Sequence, residues 1–204
     1  SPNFGPRPPD TAISLIVLAI TIILLLNHLV GGSGLVYLVP RFGVYGLLVR
    51  SYGWAVFTAL VAFSAQQLVP LVPKDLVIHV VALAFLQSLN SIHLNILVGR
   101  ERIGLQNGIL VAQAATQLVA FTILLRVGST DLVDYVWATY IAHGTTAIVS
   151  GYFTLRERHN RSGDPGSALQ MLFRQGGLAQ VANLMQLLNY RFAYYLIERY
   201  RDLA

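Results

Sequence analysis

The sequence predicts an all-α, polytopic helical membrane protein, and its composition carries this prediction. Of its 204 residues, 55% are apolar and only 11% are charged, whereas an ordinary soluble domain carries about 25% charged residues. The charges are also clustered, because residues 11–40 and residues 53–73 hold none. Apolar runs of this length suit helices that cross a bilayer, which need about 20 residues.

Charge and cysteine usage exclude several classes of function. The net charge of +5 suits anionic lipid headgroups and is too diffuse to indicate a nucleic-acid partner. The chain has no cysteine, which excludes disulfides, thiol chemistry and thiolate metal sites. It begins with Ser1 and its first residues lack the layout of a signal peptide, so we expect a segment of a longer protein.

Six spans are predicted where apolar runs are bounded by breakers. In chain order they cover residues 11–29, 53–71, 76–98, 103–125, 132–155 and 173–199. A Gly-Gly-Ser-Gly breaker ends the first span. Residues 35–50 are predicted to lie along the membrane interface as a short amphipathic segment, because tyrosine and arginine commonly anchor chains among headgroups. Pro70 and Pro73 close the second span.

Short polar turns separate the later spans. Lys74 and Asp75 lead into the third, residues 99–102 into the fourth, and residues 126–131 into the fifth, while residues 156–167 form the one polar loop of any length. Short turns force an up-down order, so the basic loop residues can be assigned to two sides. One side collects Arg41, Arg50, Arg100, Arg102, Arg156, Arg158, Arg161 and Arg174. The positive-inside rule predicts that this side is cytoplasmic.

The last span carries a polar stripe. At about 100° per residue, one sector of the helix holds Gly176, Gln180, Asn183, Arg191, Tyr194 and Glu198. Arg191 would lie on the order of 7 Å from the bilayer midplane, where a guanidinium is costly and is expected to face a bundle interior or a watery cavity. The alternative is that Arg191 snorkels to the headgroups, but the stripe that leads to it favours a cavity.

Three other spans also carry polar stripes. They hold Gln106, Gln113 and Gln117 on the fourth span, Thr139, His143, Thr146 and Ser150 on the fifth, and His79, Asn90 and His93 on the third, with Gln87 at the edge of that face. Each stripe alone indicates hydrogen bonds between helices, whereas four in one chain favour an internal hydrophilic cavity. No two of these histidines have the i, i+4 spacing of a helical metal site, so we predict packing roles and no metal.

Two stretches resemble bacterial polysaccharide flippases. Residues 95–112, NILVGRERIGLQNGILVA, resemble the junction between two helices of those proteins. Residues 173–195, FRQGGLAQVANLMQLLNYRFAYY, resemble the opening helix of their second lobe, in which Asn189, Tyr190 and Arg191 match the LNYR run. More loosely, residues 32–41, GSGLVYLVPR, are similar to the turn after their second helix. The likeness is to the O-antigen repeat-unit type of the multidrug/oligosaccharidyl-lipid/polysaccharide exporter superfamily.

The resemblance implies a membrane transporter rather than an enzyme, with no cofactor. Such proteins have two lobes around a basic cavity, and this chain would supply roughly half of such a transporter. Residues 1–167 would form first-lobe helices, five spans in all, and residues 168–204 the opening helix of the second lobe. They move a polyprenyl-diphosphate-linked oligosaccharide from the cytoplasmic to the outer leaflet of the bacterial inner membrane. The implied partners are this substrate, membrane lipids and other polysaccharide-assembly membrane proteins.

The substrate contacts that the resemblance implies combine one cation with several uncharged groups. They are Arg191, Asn183, Gln180, Gln113, Gln117 and Tyr194. Arg191 would bind the diphosphate, because paired N–H groups match phosphate oxygens. The amides would bind the sugar, because each offers both donors and an acceptor.

Two other classes of function compete with this prediction: an antiporter, and an enzyme that is either a protease or a glycan polymerase. A drug/cation antiporter of the same superfamily would need a carboxylate within the membrane, whereas all nine acidic residues lie in loops or at span ends. A rhomboid-like protease would use Ser33, because residues 31–34 fit the G-x-S-G pattern, but Ser33 follows the first span instead of heading a later helix. A glycan polymerase would show a large outer loop, and the outer turns here are short.

Overall fold

The computed structural model describes residues 9–68, 72–127, 132–157 and 165–201, and these ranges fold into seven α-helices. They are α1 (Pro9–Gly31), α2 (Gly34–Phe42), α3 (Val44–Leu68), α4 (Lys74–Gly99), α5 (Ile103–Val127), α6 (Leu132–Arg156) and α7 (Pro165–Arg201). Six of the helices are long and α2 is short. The prediction of an all-α fold is confirmed.

Four stretches of the described chain are long and apolar enough to cross a membrane. They are Leu15–Phe42, Val44–Leu68, Lys74–Gly99 and Ile103–Arg126. The first of them takes in α2 as well as most of α1. The chain is therefore a multi-span helical membrane protein. That α6 and α7 cross the membrane as well, which would complete six spans, stays a prediction.

Residues 35–50 do not form the single short segment that was predicted, and their interfacial location stays a prediction. This stretch divides between α2 and the first turns of α3, with a bend at Gly43, whose φ is 77°. Its apolar side chains belong to the core, each at most 4% exposed: Leu35, Leu38, Val39, Val44, Leu47 and Leu48. An amphipathic pattern is the same whether its apolar side meets lipid or neighbouring helices, and here it meets helices.

Helix α4 is the centre of the bundle. It packs against α1, α2, α3 and α6, and to a smaller extent against α5. Two apolar clusters flank its middle. One joins Leu35, Leu47, Ile92, Ile96 and Leu172 near the α2 end, and the other joins Ile16, Ile20, Val80, Leu83 and Val136 near the opposite end. Between these clusters, near the middle of α4, lie the polar side chains of Gln87, Ser88, Asn90 and Ser91.

Helix α7 crosses α1 and α2 at very short range because the crossing point is glycine. A Cβ on Gly176 would lie 2.0 Å from the carbonyl oxygen of Leu29, and one on Gly34 would lie 3.1 Å from the backbone nitrogen of Gly176. Small residues allow membrane helices to approach backbone to backbone. The predicted division of the chain into lobes at residue 167 stays a prediction.

Several of the connections predicted to share one side lie at one end of the bundle. Glu157, at the end of α6, pairs with Arg102 at 3.0 Å and with Arg100 at 3.6 Å, which ties it to the turn between α4 and α5. The same turn lies beside α2, since a Cβ on Gly99 would lie 2.9 Å from Cβ of Val39. This end therefore gathers arginines predicted to be cytoplasmic; Arg158 and Arg161 lie outside the described residues.

Candidate functional site

A cavity of about 310 Å³ lies between α1, α4, α5 and α6. Its volume is in the range of small-molecule sites, about 300–1,000 Å³. Its polar lining consists of His28, Gln87, Asn90, Ser91, Asn95, Gln106, Gln113 and His143. Lys, Arg, Asp and Glu do not occur among the described residues that line it. The cavity therefore offers amide, hydroxyl and imidazole groups to a ligand, without a fixed ionic charge.

The walls formed by α4 and α6 are joined by a ladder of polar contacts. The pairs are His79 with Tyr140 at 3.3 Å, Asn90 with His143 at 3.2 Å, and His93 with Ser150 at 3.0 Å. The two helices run parallel, so polar faces with matching periods meet along their length. Interhelical hydrogen bonding, predicted for the stripes on the third and fifth spans when each is taken alone, is confirmed at these positions.

His93 makes further polar contacts with α3 and α6. The hydroxyl of Tyr52, on α3, contacts Nε2 of His93. The hydroxyl of Thr154, on α6, donates to the His93 carbonyl at 3.4 Å. A Cβ on Gly151 would lie 3.1 Å from Cε1 of His93, so glycine makes room for the ring. His93 is 4% exposed. These contacts match the packing role predicted for this histidine.

His143 joins three helices at the cavity wall. Nδ2 of Asn90 donates to the His143 carbonyl at 3.1 Å, which fixes the orientation of the Asn90 amide. Nδ1 of His143 lies 3.2 Å from that nitrogen and 3.1 Å from Nε2 of Gln113 on α5. Amide nitrogens only donate, so Nδ1 accepts and the ring proton of the neutral imidazole is on Nε2. Oδ1 of Asn90 is buried without a partner among the described residues.

The α1 wall is held by a second cluster of hydrogen bonds. The hydroxyl of Ser91 lies 3.0 Å from Nε2 of His28 and 3.3 Å from the carbonyl oxygen of Gly31. Nδ2 of Asn95 donates to the Ser91 carbonyl at 2.8 Å and to the Gly31 carbonyl at 3.4 Å. Carbonyls in the last turn of a helix have no partner within the helix. Ser91 and Asn95 therefore bind the end of α1 to α4.

The glutamine stripe of α5 meets the cavity in part. Gln106 and Gln113 line it, as expected for a face that points into the bundle. Gln117 is half-buried further along α5 and does not line this cavity. The side chain of Gln113 is held by His143, whereas Gln106 makes no side-chain hydrogen bond to the described residues. Gln106 is thus the α5 amide that is available to a ligand.

Of the predicted contacts on α7, the two whose side chains the structure describes, Gln180 and Asn183, do not line this cavity. Gln180 is 7% exposed and lies one turn beyond the Gly176 crossing; its Oε1 has no partner among the described residues. Asn183 is exposed. Arg191 and Tyr194 are on α7, but their side chains lie outside the described residues. The substrate roles of these α7 residues and of Gln113 and Gln117 stay predictions.

Three polar residues of the cavity lie outside all the predicted polar stripes. His28 is at the end of the first predicted span, a position typical of interfacial residues, but it is partly buried and lines the cavity. Ser91 and Asn95 did not belong to any predicted stripe. Their i, i+4 spacing was an available signal, because residues four apart share a helix face.

The serine that a protease would use and the described carboxylates that an antiporter would use do not line the polar cavity. Ser33 is exposed at the start of α2, and its side chain makes no capping hydrogen bond. Among the described acids, Asp75 and Glu101 are exposed and Glu157 pairs with arginines at the bundle end. Asp134, in the first turn of α6, has a buried Oδ2 without a partner among the described residues.

No family model matches this chain, and searches of the curated proteins and of the solved structures find no match.

Proposed function

We propose that this chain is part of a transporter that flips a polyprenyl-diphosphate-linked oligosaccharide from the cytoplasmic to the outer leaflet of a bacterial inner membrane. The observation that carries the proposal is the polar cavity between α1, α4, α5 and α6. Its lining residues are uncharged or histidine. Sugar hydroxyls both donate and accept hydrogen bonds, and amide side chains complement both capacities.

The main energetic barrier to such transport is the loss of hydrogen bonds when sugar hydroxyls leave water, and the polar groups of the cavity would replace some of those bonds. Each sugar hydroxyl that enters hydrocarbon without a partner costs roughly 2–7 kcal/mol. Gln106 faces the cavity without a side-chain hydrogen bond to the described residues, while Asn90, Gln113 and His143 hold the helices together. One set of groups therefore keeps the cavity in shape and another is free to replace water around a sugar.

The proposed partners follow from the substrate. The oligosaccharide would lie in the cavity, its diphosphate would bind Arg191 of α7, and its polyprenyl chain would remain in the membrane. The protein would act beside other membrane proteins of polysaccharide assembly. This transport breaks no covalent bond and calls for no catalytic side chain.

A drug/cation antiporter is the second candidate, and one observation favours it. Asp134 has a buried carboxylate oxygen without a partner among the described residues, as expected of a group that awaits a cation. However, Asp134 lies in the first turn of α6, away from the residues that line the polar cavity. A carboxylate at a helix N-terminus is also stabilised by the helix dipole, which explains its position without transport.

Replacing Gln106 with leucine tests the flippase proposal. In cells that express the protein from its native gene, Gln106→Leu is expected to lower glycan export roughly two- to tenfold, the effect of losing one hydrogen bond worth about 0.5–1.5 kcal/mol. Surface glycan is measured by lectin binding to intact cells. Gln67→Leu is the matched control, because Gln67 is exposed on α3. Equal export by the two variants would remove the cavity from the transport path.

A further inference from the structure

A serine and a histidine meet in the wall of the polar cavity. The hydroxyl of Ser91, on α4, lies 3.0 Å from Nε2 of His28, on α1, and both residues line the cavity. The carbonyl oxygen of Gly31 is farther from this hydroxyl, at 3.3 Å. A neutral imidazole with its proton on Nδ1 accepts a hydrogen bond at Nε2. This is the arrangement in which a histidine activates a serine as a nucleophile.

A second serine–histidine pair has the same distance but no access to a ligand. The hydroxyl of Ser150 lies 3.0 Å from Nδ1 of His93. Ser150 is 0% exposed and does not line the polar cavity, whereas Ser91 is only partly buried and does line it. The distance to histidine therefore does not distinguish the two serines, but the cavity does.

Amide side chains lie one turn to either side of Ser91. Gln87 precedes it and Asn95 follows it by four residues, so the three share one face of α4, and all three line the cavity. Nδ2 of Asn95 lies 3.2 Å from Oγ of Ser91. Gln87 makes no side-chain hydrogen bond to the described residues, so its N–H donors are available. Such amides can stabilise the oxyanion that forms when a serine attacks a carbonyl.

We propose that Ser91 and His28 form a catalytic dyad that hydrolyses uncharged esters of short-chain acids in the polar cavity. Ser91 is the nucleophile, His28 is the general base and then the general acid, and Gln87 donates to the oxyanion. This activity is separate from the proposed transport, which breaks no covalent bond.

The class of substrate follows from the lining of the cavity. Lys, Arg, Asp and Glu do not occur among the described lining residues, so a charged ester would enter without a counter-ion, at a large cost in free energy. Leu24, Leu94 and Leu110 line the same cavity and offer an apolar surface to an acyl chain. The volume of about 310 Å³ is at the lower end of small-molecule sites, which favours a short chain.

The reaction balances with water as the co-reactant. Oγ of Ser91 forms a bond to the carbonyl carbon of the ester while its proton passes to Nε2 of His28. The bond between that carbon and the alcohol oxygen then breaks, and the alcohol leaves with the proton from His28. Water next attacks the acyl-serine, giving its proton to His28 and its hydroxide to the acyl carbon. The acid leaves, and His28 returns the proton to Ser91.

An alkyl fluorophosphonate tests the dyad directly, because this reagent phosphonylates serines that are activated as nucleophiles. The full chain, expressed from its native gene and purified, is treated with the reagent, and the labelled peptides are mapped by mass spectrometry. We expect Ser91 to be labelled and Ser150 to be unlabelled in the same sample. His28→Gln should slow the labelling of Ser91 by about 10²–10⁴-fold, the contribution of a general base.

Hydrolysis of p-nitrophenyl butyrate measures turnover by the same groups. Ser91→Ala should abolish it, and Gln87→Leu should lower kcat by about 10²–10³-fold, the effect of removing one oxyanion donor. Ser88→Ala is the matched control, because Ser88 is on the same helix and its hydroxyl donates to the Ala84 carbonyl at 2.8 Å. This variant should keep the parental turnover.

Three outcomes would overturn the proposal: no label on Ser91 of the parent protein, equal labelling rates for the parent and His28→Gln, or equal hydrolysis by the parent and Ser91→Ala. The first of these is read from the parent protein alone, so it does not depend on whether a variant folds. Neither measurement involves transport, so the dyad and the flippase function can fail independently.

Discussion

Replacing Gly176 with alanine is expected to separate α7 from α1. The added Cβ would lie 2.0 Å from the Leu29 carbonyl oxygen and 2.7 Å from its carbon. Both atoms are backbone, so no side chain can rotate away and one helix must move. Overpacking of this kind costs about 1–3 kcal/mol, which corresponds to a fall in Tm of about 2–12 °C for a protein of this size.

Thermal unfolding of the purified protein in detergent measures this effect. The ring of Trp54 on α3 lies 4.9 Å from that of Phe173 on α7, so its fluorescence also reports whether α7 is docked. Gly177→Ala is the matched control, because a Cβ on that neighbouring residue meets nothing within 4 Å. Equal Tm values and equal Trp54 emission, measured with Trp137→Phe in both variants, would contradict the close crossing of α7 and α1.

Replacing Arg191 with alanine is expected to abolish glycan export while expression and membrane insertion stay near normal. Arg191 is 15 residues beyond the Gly176 crossing in sequence, roughly 22 Å along α7. If it binds the diphosphate, both its charge and its paired donors matter. Arg191→Lys keeps the positive charge but loses the paired N–H donors of the guanidinium, so this variant should retain part of the export. The measurement is surface glycan in cells that express each variant from the native gene.

Two other outcomes would assign Arg191 a different role. If its guanidinium snorkels to headgroups, Arg191→Ala and Arg191→Lys should both export almost as well as the parent protein. If it pairs with Glu198, then Glu198→Gln should be as damaging as Arg191→Ala. Parental export by Arg191→Ala would remove this residue from the substrate site.

Helical periodicity predicted much of the polar interior. His79, Asn90 and His93 were placed on one face of their span by the 3.6-residue repeat, and all three contact α6. Gln106 and Gln113 were placed together by the same reasoning and line one cavity. A polar side chain within an apolar span needs a partner, so its direction is strongly constrained even before neighbouring helices are known.

Contacts between distant parts of the chain could not be predicted in this way. His28 looks interfacial from its position, and its partner Ser91 is 63 residues away, beyond the reach of any local pattern. The burial of α2 was missed because amphipathicity shows that a helix has an apolar side without showing what covers it. Gly176 was recognised as part of a stripe, but its close contact with Leu29 depends on how two helices cross.

Transfer of a lipid-linked oligosaccharide between leaflets tests the proposed function most directly. The protein, expressed from its native gene and purified, is placed in liposomes whose polyprenyl-diphosphate oligosaccharide carries a fluorophore on the glycan. A membrane-impermeant quencher added outside quenches only the fluorophores in the outer leaflet, so the fluorescence that remains measures the fraction of the substrate in the inner leaflet. We expect that fraction to become accessible in the presence of the parent protein, more slowly with Gln106→Leu, and at the parental rate with Gln67→Leu. No transfer above that of protein-free liposomes would contradict the proposed flippase function.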